Sequence, residues 1–207
     1  MKKPILKEGK KYTFSDYFEL NNPTEEIVEE LGYSFSYEVL NLPQSKDYNV
    51  SDIKKLQDTF YTIFPKIIIN SEIAKREFLI APILVEIAKN TDSKINVEYP
   101  IEVNDKLGGS LDYLIRSKQE IVVIGAKKGD LDKGFTQLSA ELIALDKYEE
   151  SDVGTMLYGA ITIGDVWRFG ILNRDMQHIK KDINSYAVPG DIEKLFSILV
   201  GIVTSLP

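Results

Sequence analysis

The apolar positions of this chain change period several times, and each change marks an element. Over residues 70–90, NSEIAKREFLIAPILVEIAKN, the residues Ile73, Phe78, Ile80, Ile83 and Leu84 recur at helical spacing. They predict one helix that Pro82 should kink. Apolar and polar residues then alternate through KINVEYPIEVN (94–104), the spacing of a strand. Two further strands follow in GGSLDYLIRSKQEIVVIGAK (108–127), joined by a turn at Lys118 and Gln119. Both faces of that pair are mostly apolar, as strands covered by helices on either side require. Helical spacing returns from Leu131 to Glu149. TMLYGAITIGDVWRFGILN (155–173) reads as two strands about the turn Ile163-Gly164-Asp165. After a short extended piece, Asp191 to Thr204 reads as the final helix.

The order helix, three strands, helix, two strands, helix predicts a mixed α/β sandwich with helices on both faces of the sheet. Residues 1–68 read as an N-terminal extension packed on a core of residues 69–207. The extension carries a helix starting at Thr24 as N-cap and stopping at Gly32, a strand in YSFSYEVLNL (33–42), and an amphipathic helix over 51–64 capped by Ser51.

Composition narrows the chemistry. The chain of 207 residues has no cysteine and a single histidine, His178, which removes disulfides, thiolate nucleophiles and histidine-rich metal centres. His178 has no partner nucleophile in the sequence pattern and reads as a surface or structural residue. Trp167 and Phe169, on an alternating strand, read as core rather than as a stacking platform. The start, MKKPILKEGKKYTF, lacks a signal peptide's apolar core, and LFSILVGIV (195–203) is too short to span a bilayer. A cytoplasmic protein with no membrane partner is the expectation. The net charge of −7 argues against broad adhesion to nucleic acid but leaves room for a local basic groove. Lys127, Lys128 and Lys133 cluster in sequence, whereas Lys180 and Lys181 read as solvated surface residues.

With the turn at Lys118 and Gln119, Ser117 faces Glu120, Ile115 faces Val122 and Asp112 faces Gly125. Asp112, Leu114, Val123, Gly125 and Lys127 then share one face, so an acid and a lysine stand at one end of an apolar surface. The pair reads equally as an ion pair or as part of a hydrolytic site. A divalent cation held by oxygen ligands polarises a phosphoryl oxygen and acidifies a bound water, and a lysine beside it steadies developing negative charge.

The stretch SLDYLI…IVVIGAKKGDLDKGFTQLSAELIAL resembles the core of the PD-(D/E)XK nuclease superfamily, and the resemblance runs over about residues 69 to 204. It implies a restriction endonuclease-like three-layer α/β sandwich, a central mixed β-sheet flanked by helices. It further implies hydrolysis of phosphodiester bonds in DNA that depends on Mg²⁺, with Mn²⁺ as the alternative ion. Asp112 matches the family's first acid, Lys127 its lysine and Gln137 the glutamine of the following helix. Glu72 matches the acid of the leading helix, with Glu77 as the alternative. The later LYGAITIGDVWRFGIL is similar to the strand pair of type I restriction-like bacterial members. Because many enzymes that cut both strands are dimers, the resemblance also allows a homodimer.

The chain departs from the pattern at Gly125, where the family has Asp or Glu two residues before the lysine. One reading supplies the missing ligand from the helix: Glu141 lies four residues past Gln137 on the same face, so Asp112, Glu141 and Glu72 become the expected metal ligands. The competing readings make Glu141 an ordinary exposed residue and the protein a catalytically degenerate nuclease-fold module that binds nucleic acid or a protein partner without cutting. Asp130 reads as a helix cap rather than a ligand.

Overall fold

The hairpin predicted from alternation lies inside a much longer sheet. In the computed structural model, residues 4–117, 120–125, 129–148 and 154–205 are described, and side chains are described outside 120–125. Among the described residues eight strands form one mixed sheet in the order β1-β7-β6-β5-β4-β3-β2, with β8 paired to β6. The strands are β1 (Ser34–Glu38), β2 (Lys94–Asn104), β3 (Leu107–Arg116), β4 (Glu120–Gly125), β5 (Met156–Thr162), β6 (Val166–Asn173), β7 (His178–Asp182) and β8 (Tyr186–Ala187). β2, β3 and β4 are antiparallel neighbours, and β4 and β5 run parallel. A parallel neighbour needs a crossover, and α6 (Leu131–Tyr148) supplies it.

Helices cover both faces. On one, α6 packs with α1 (Phe14–Glu19) and α2 (Thr24–Glu30) over a core that includes Phe135, Leu138, Leu142, Leu157 and Ile161. On the other, α3 (Val50–Ile63), α5 (Ala81–Asn90) and α7 (Ile192–Thr204) enclose Ile83, Tyr113, Trp167, Phe169 and Leu199. Trp167 and Phe169 are thus core residues. The mixed α/β sheet with flanking helices agrees with the hydrophobic pattern.

The N-terminal residues join the same sheet. β1 adds in parallel to β7, and its Ser34 and Ser36 hydroxyls hold the two ring nitrogens of His178 at 2.6 and 2.8 Å. The segment before α1 is tied down by Glu30, whose carboxylate accepts from the backbone of Ile5 and Leu6, both at 2.7 Å. Helix α1 was not evident from spacing, because it is short. It is started by a reciprocal cap in which Asp16 accepts from the Thr13 backbone N–H at 2.7 Å. Two caps differ from expectation. Pro23 rather than Thr24 precedes α2, and Asn49 rather than Ser51 caps α3 by accepting from the Ser51 N–H.

The leading helix is longer than α5 alone. It opens as α4 (Glu72–Lys75), widens into a π turn over Arg76–Ile80, and continues as α5. The Ala81 N–H reaches back five residues to the Arg76 carbonyl. Proline supplies no N–H and its ring crowds the carbonyl four residues before it, so a widened turn ahead of Pro82 replaces the sharp kink.

Glycine sets how closely α7 can be overlaid. A methyl group at Gly201 would stand 2.5 Å from the Gln44 Cα and 2.6 Å from its backbone N, so the backbone of the 43–44 segment rests directly on the helix. Replacing glycine by alanine inside a helix ordinarily gains up to about 1 kcal/mol. Overpacking against backbone costs about 1–3 kcal/mol, because no rotamer can swing clear. Gly201→Ala is therefore expected to lower the urea midpoint, with a net loss of about 1–2 kcal/mol on the same balance. An unchanged or raised midpoint would show that the 43–44 segment yields freely.

Candidate functional site

The β3–β4 pairing differs by one residue from that expected. Arg116 pairs with Glu120, Ile115 with Ile121, Leu114 with Val122 and Tyr113 with Val123. Three residues, not two, separate the paired ends. A one-residue slip exchanges the faces of a strand. Gly125 therefore does not stand opposite Asp112; its described partner is Thr162 of β5. Lys127 lies outside the described residues.

Asp112 sits on β3 beside a stretch of β2 with an unusual backbone, although the β2–β3 register is kept on either side of it. Val97 pairs with Tyr113 and Tyr99 with Leu111, skipping Glu98 and Asp112. Glu98 has φ +52°, a left-handed conformation that side chains with a Cβ adopt at a cost. Beside it comes Arg76, the first residue of the π turn. Its Nε donates to the Tyr113 hydroxyl and its Nη1 lies by a Glu98 carboxylate oxygen, each at 3.4 Å. The guanidinium carbon stands 5.2 Å from the centre of the Tyr113 ring. Burial works against the Arg76 charge. The Tyr113 hydroxyl and the Asp112 and Glu98 carboxylates outweigh it, so the guanidinium pKa is raised. Ile73, Arg76, Glu77, Ala81 and Tyr113 line a cavity of about 190 Å³ beside them. Of the two leading-helix acids, Glu77 lines this cavity, and Glu72 is half-buried at the start of α4 outside the lining.

Gln137 and Glu141 lie together on α6. The Gln137 amide Nε2 donates to Glu141 Oε1 at 2.8 Å, and Glu141 is 0% exposed. The reason is the burial of α6 itself: every residue from Gly134 to Leu145 is buried, so no face is left for an exposed carboxylate. Residues four apart share a face, and the Gln137 amide meets one of the two buried Glu141 oxygens, Oε1. Asp130 accepts from the backbone N–H groups of Asp132 and Lys133, both at 3.0 Å, so it caps α6. Among the described residues no three carboxylate or imidazole groups come close enough to hold a metal ion together. Asp112, Glu141 and Glu72 therefore do not form a three-acid centre.

Arg76 and Glu98 were not singled out from the sequence. Arg76 lies four residues past Glu72, which is a usable signal; the left-handed turn at Glu98 leaves no trace in residue type. No family model matches the chain, and no curated protein matches it either. Among the described residues no helix is long and apolar enough to cross a membrane.

Lys181, expected on the surface, is 1% exposed. Its ammonium donates to Asp132 at 2.6 Å and lies 4.8 Å from the Phe135 ring centre and 5.4 Å from that of Tyr37. Successive residues of β7 point to opposite faces, so Lys180 and Lys181 cannot share one environment. Lys180 pairs with Glu38 at 2.9 Å at the half-exposed edge. Burial pushes the Lys181 pKa down, against the pull of Asp132, and the hydrogen bond from Lys181 holds the Asp132 carboxyl below its usual range. Arg168 adds a second cation 3.6 Å from Asp132.

The two halves of this pair are not equivalent, because the Asp132 side chain is 78% exposed. Asp132→Ala leaves a buried ammonium without its carboxylate and is expected to destabilise by about 1–3 kcal/mol. Lys181→Met leaves only a carboxylate that water already reaches, and should cost less than about 1 kcal/mol. Urea unfolding of both variants checks the order; equal losses would show that the pair is held by packing rather than by charge.

Proposed function

We propose that the protein is a nuclease-like member of the PD-(D/E)XK type, hydrolysing phosphodiester bonds in DNA with Mg²⁺ or Mn²⁺. The observation that carries this reading is the buried Gln137–Glu141 pair on the helix that crosses from β4 to its parallel neighbour β5. A carboxylate and an amide inside an otherwise apolar helix are costly to retain unless they are used. The element order supports the same reading: a leading helix, three antiparallel strands with Asp112 on the middle one, a crossover helix and a parallel strand.

The donor set suits a hard cation. Asp112 and Glu141 offer carboxylate oxygens, and an ion with so few charged protein ligands would keep several waters, as magnesium does. When bound, the cation polarises a phosphoryl oxygen and acidifies a water. Gln137 orients the Glu141 carboxylate, Asp112 faces the substrate phosphate, and Lys127 steadies the charge that develops there. In this role Glu141 takes the place of the acid missing at Gly125.

A second reading has its own observation. Asp112 already has the Arg76 charge near it, and Glu141 already accepts from Gln137. Both carboxylates thus have protein partners, which favours a fold member that binds DNA or a protein without cutting.

Cleavage of plasmid and duplex oligonucleotides, with Mg²⁺ and with Mn²⁺, separates the two. Lys127→Ala and Glu141→Gln are expected to lose about 100-fold or more in rate, the usual effect of deleting such a group. Equal activity in wild type and both variants would exclude the assigned roles. An inert wild type that gains activity as Gly125→Glu would establish the non-cutting reading.

A further inference from the structure

Two backbone irregularities converge on one side chain outside the residues that carry the nuclease resemblance. The π turn begins at Arg76, and the left-handed residue of β2 is Glu98, its ionic partner. Widened helical turns and left-handed non-glycine residues gather at functional sites, because the surrounding structure has to maintain them at a cost. Arg76 is also loosely held. Both hydrogen bonds are 3.4 Å long, where a charge-assisted bond of this kind is ordinarily about 2.7–2.9 Å. Its carboxylate partner is the more solvated of the two, with the Glu98 side chain 68% exposed and that of Arg76 20% exposed.

We propose that Arg76 grips a phosphate of the nucleic-acid backbone and that Glu98 is the counter-ion that the phosphate displaces. This rests on the nuclease-like reading and names the contact through which that site takes its substrate. A guanidinium matches a phosphate with two parallel donors, which Glu98 does not engage at the present distances. The Tyr113 ring beneath Arg76 fixes the plane of the fork without using it up. The adjoining cavity, at about 190 Å³, is smaller than the roughly 300–1,000 Å³ of sites that enclose a whole small molecule. It suits one phosphate with part of its sugar, the rest of the strand lying outside. Glu98 and Asp112 put negative charge beside the same guanidinium, and Glu77 lines the cavity. A phosphate therefore enters only as Glu98 swings into solvent, and removing the Glu98 charge should help it.

The test is binding of a fluorescein-labelled DNA duplex by anisotropy, with Ca²⁺ in place of Mg²⁺, across a series of salt concentrations. Arg76→Ala is expected to weaken binding about tenfold or more and to lower the salt slope by about one counterion. Arg76→Lys, which keeps the charge and the fold, should keep the slope and recover part of the affinity. Glu98→Gln should bind several-fold tighter than wild type. A wild type that binds DNA, with Arg76→Ala binding equally well at an unchanged slope, overturns the role of Arg76 and leaves the nuclease-like reading standing. Weaker binding by Glu98→Gln overturns the displacement. A wild type that neither binds nor cuts DNA overturns both.

Discussion

The burial of helix α6 is the constraint on which the rest of the structure depends. It lies between the sheet and helices α1 and α2, with every residue from Gly134 to Leu145 out of water. Such a helix admits a polar residue only with its partner supplied, because an unmet buried carboxylate costs several kcal/mol. Gln137 supplies part of that for Glu141 across one turn, by donating to its Oε1, and Ser139 meets it by donating to the Phe135 carbonyl at 2.8 Å. At the helix's start the same pressure produces the opposite arrangement. There Asp132 reaches solvent and Lys181 is the buried member of the pair. The N-terminal elements matter to the candidate site for this reason: without α1 and α2, the outer face of α6 would be open to water.

A second constraint acts on the other side of the sheet. Pro82 cannot donate to the carbonyl one turn before it, and the leading helix widens over Arg76–Ile80 in response. The widened turn begins at Arg76, which reaches the Glu98 carboxylate on β2 and the Tyr113 hydroxyl on β3. A helix irregularity and a strand irregularity thus lie against one another.

Most elements were legible because they rest on period. The strand over Lys94–Asn104 and the helix opening at Leu131 follow from alternation and from helical spacing, which composition at single positions does not disturb. What depended on one residue was not legible. The hairpin register turned on whether two or three residues connect β3 to β4, and that single residue moved Gly125 off the rung of Asp112. Lys181 looked like its neighbour Lys180 until β7 was placed in the sheet, where alternation sends the two to different surroundings. Glu141 is similar: a glutamate on an amphipathic helix reads as exposed, and only the packing of α1 and α2 over that helix buries it. Arg76 and Glu98 were hidden for a different reason: Pro82 signals a disturbed helix without saying which side chain the widened turn presents, and the left-handed residue leaves no trace in residue type.

An acidic protein that handles DNA has to separate local from distant charge. At physiological salt the screening length is about 8 Å, so acids farther away slow the approach of a polyanion more than they weaken its contacts once docked. The net charge of −7 therefore bears on association rate, and the residues within a few ångströms decide the grip. Around Arg76 those residues include acids, and one of them, Glu98, is largely solvated and bonded at long range. An exposed ion pair of this kind contributes about 0–1 kcal/mol, whereas a well-formed arginine–phosphate fork contributes about 1.5–3 kcal/mol. On the proposed reading, an exchange of Glu98 for phosphate would run downhill locally while the global field opposed it. Such a surface would exclude loosely held nucleic acid and retain what reached the fork, a form of selectivity that a uniformly basic groove does not provide.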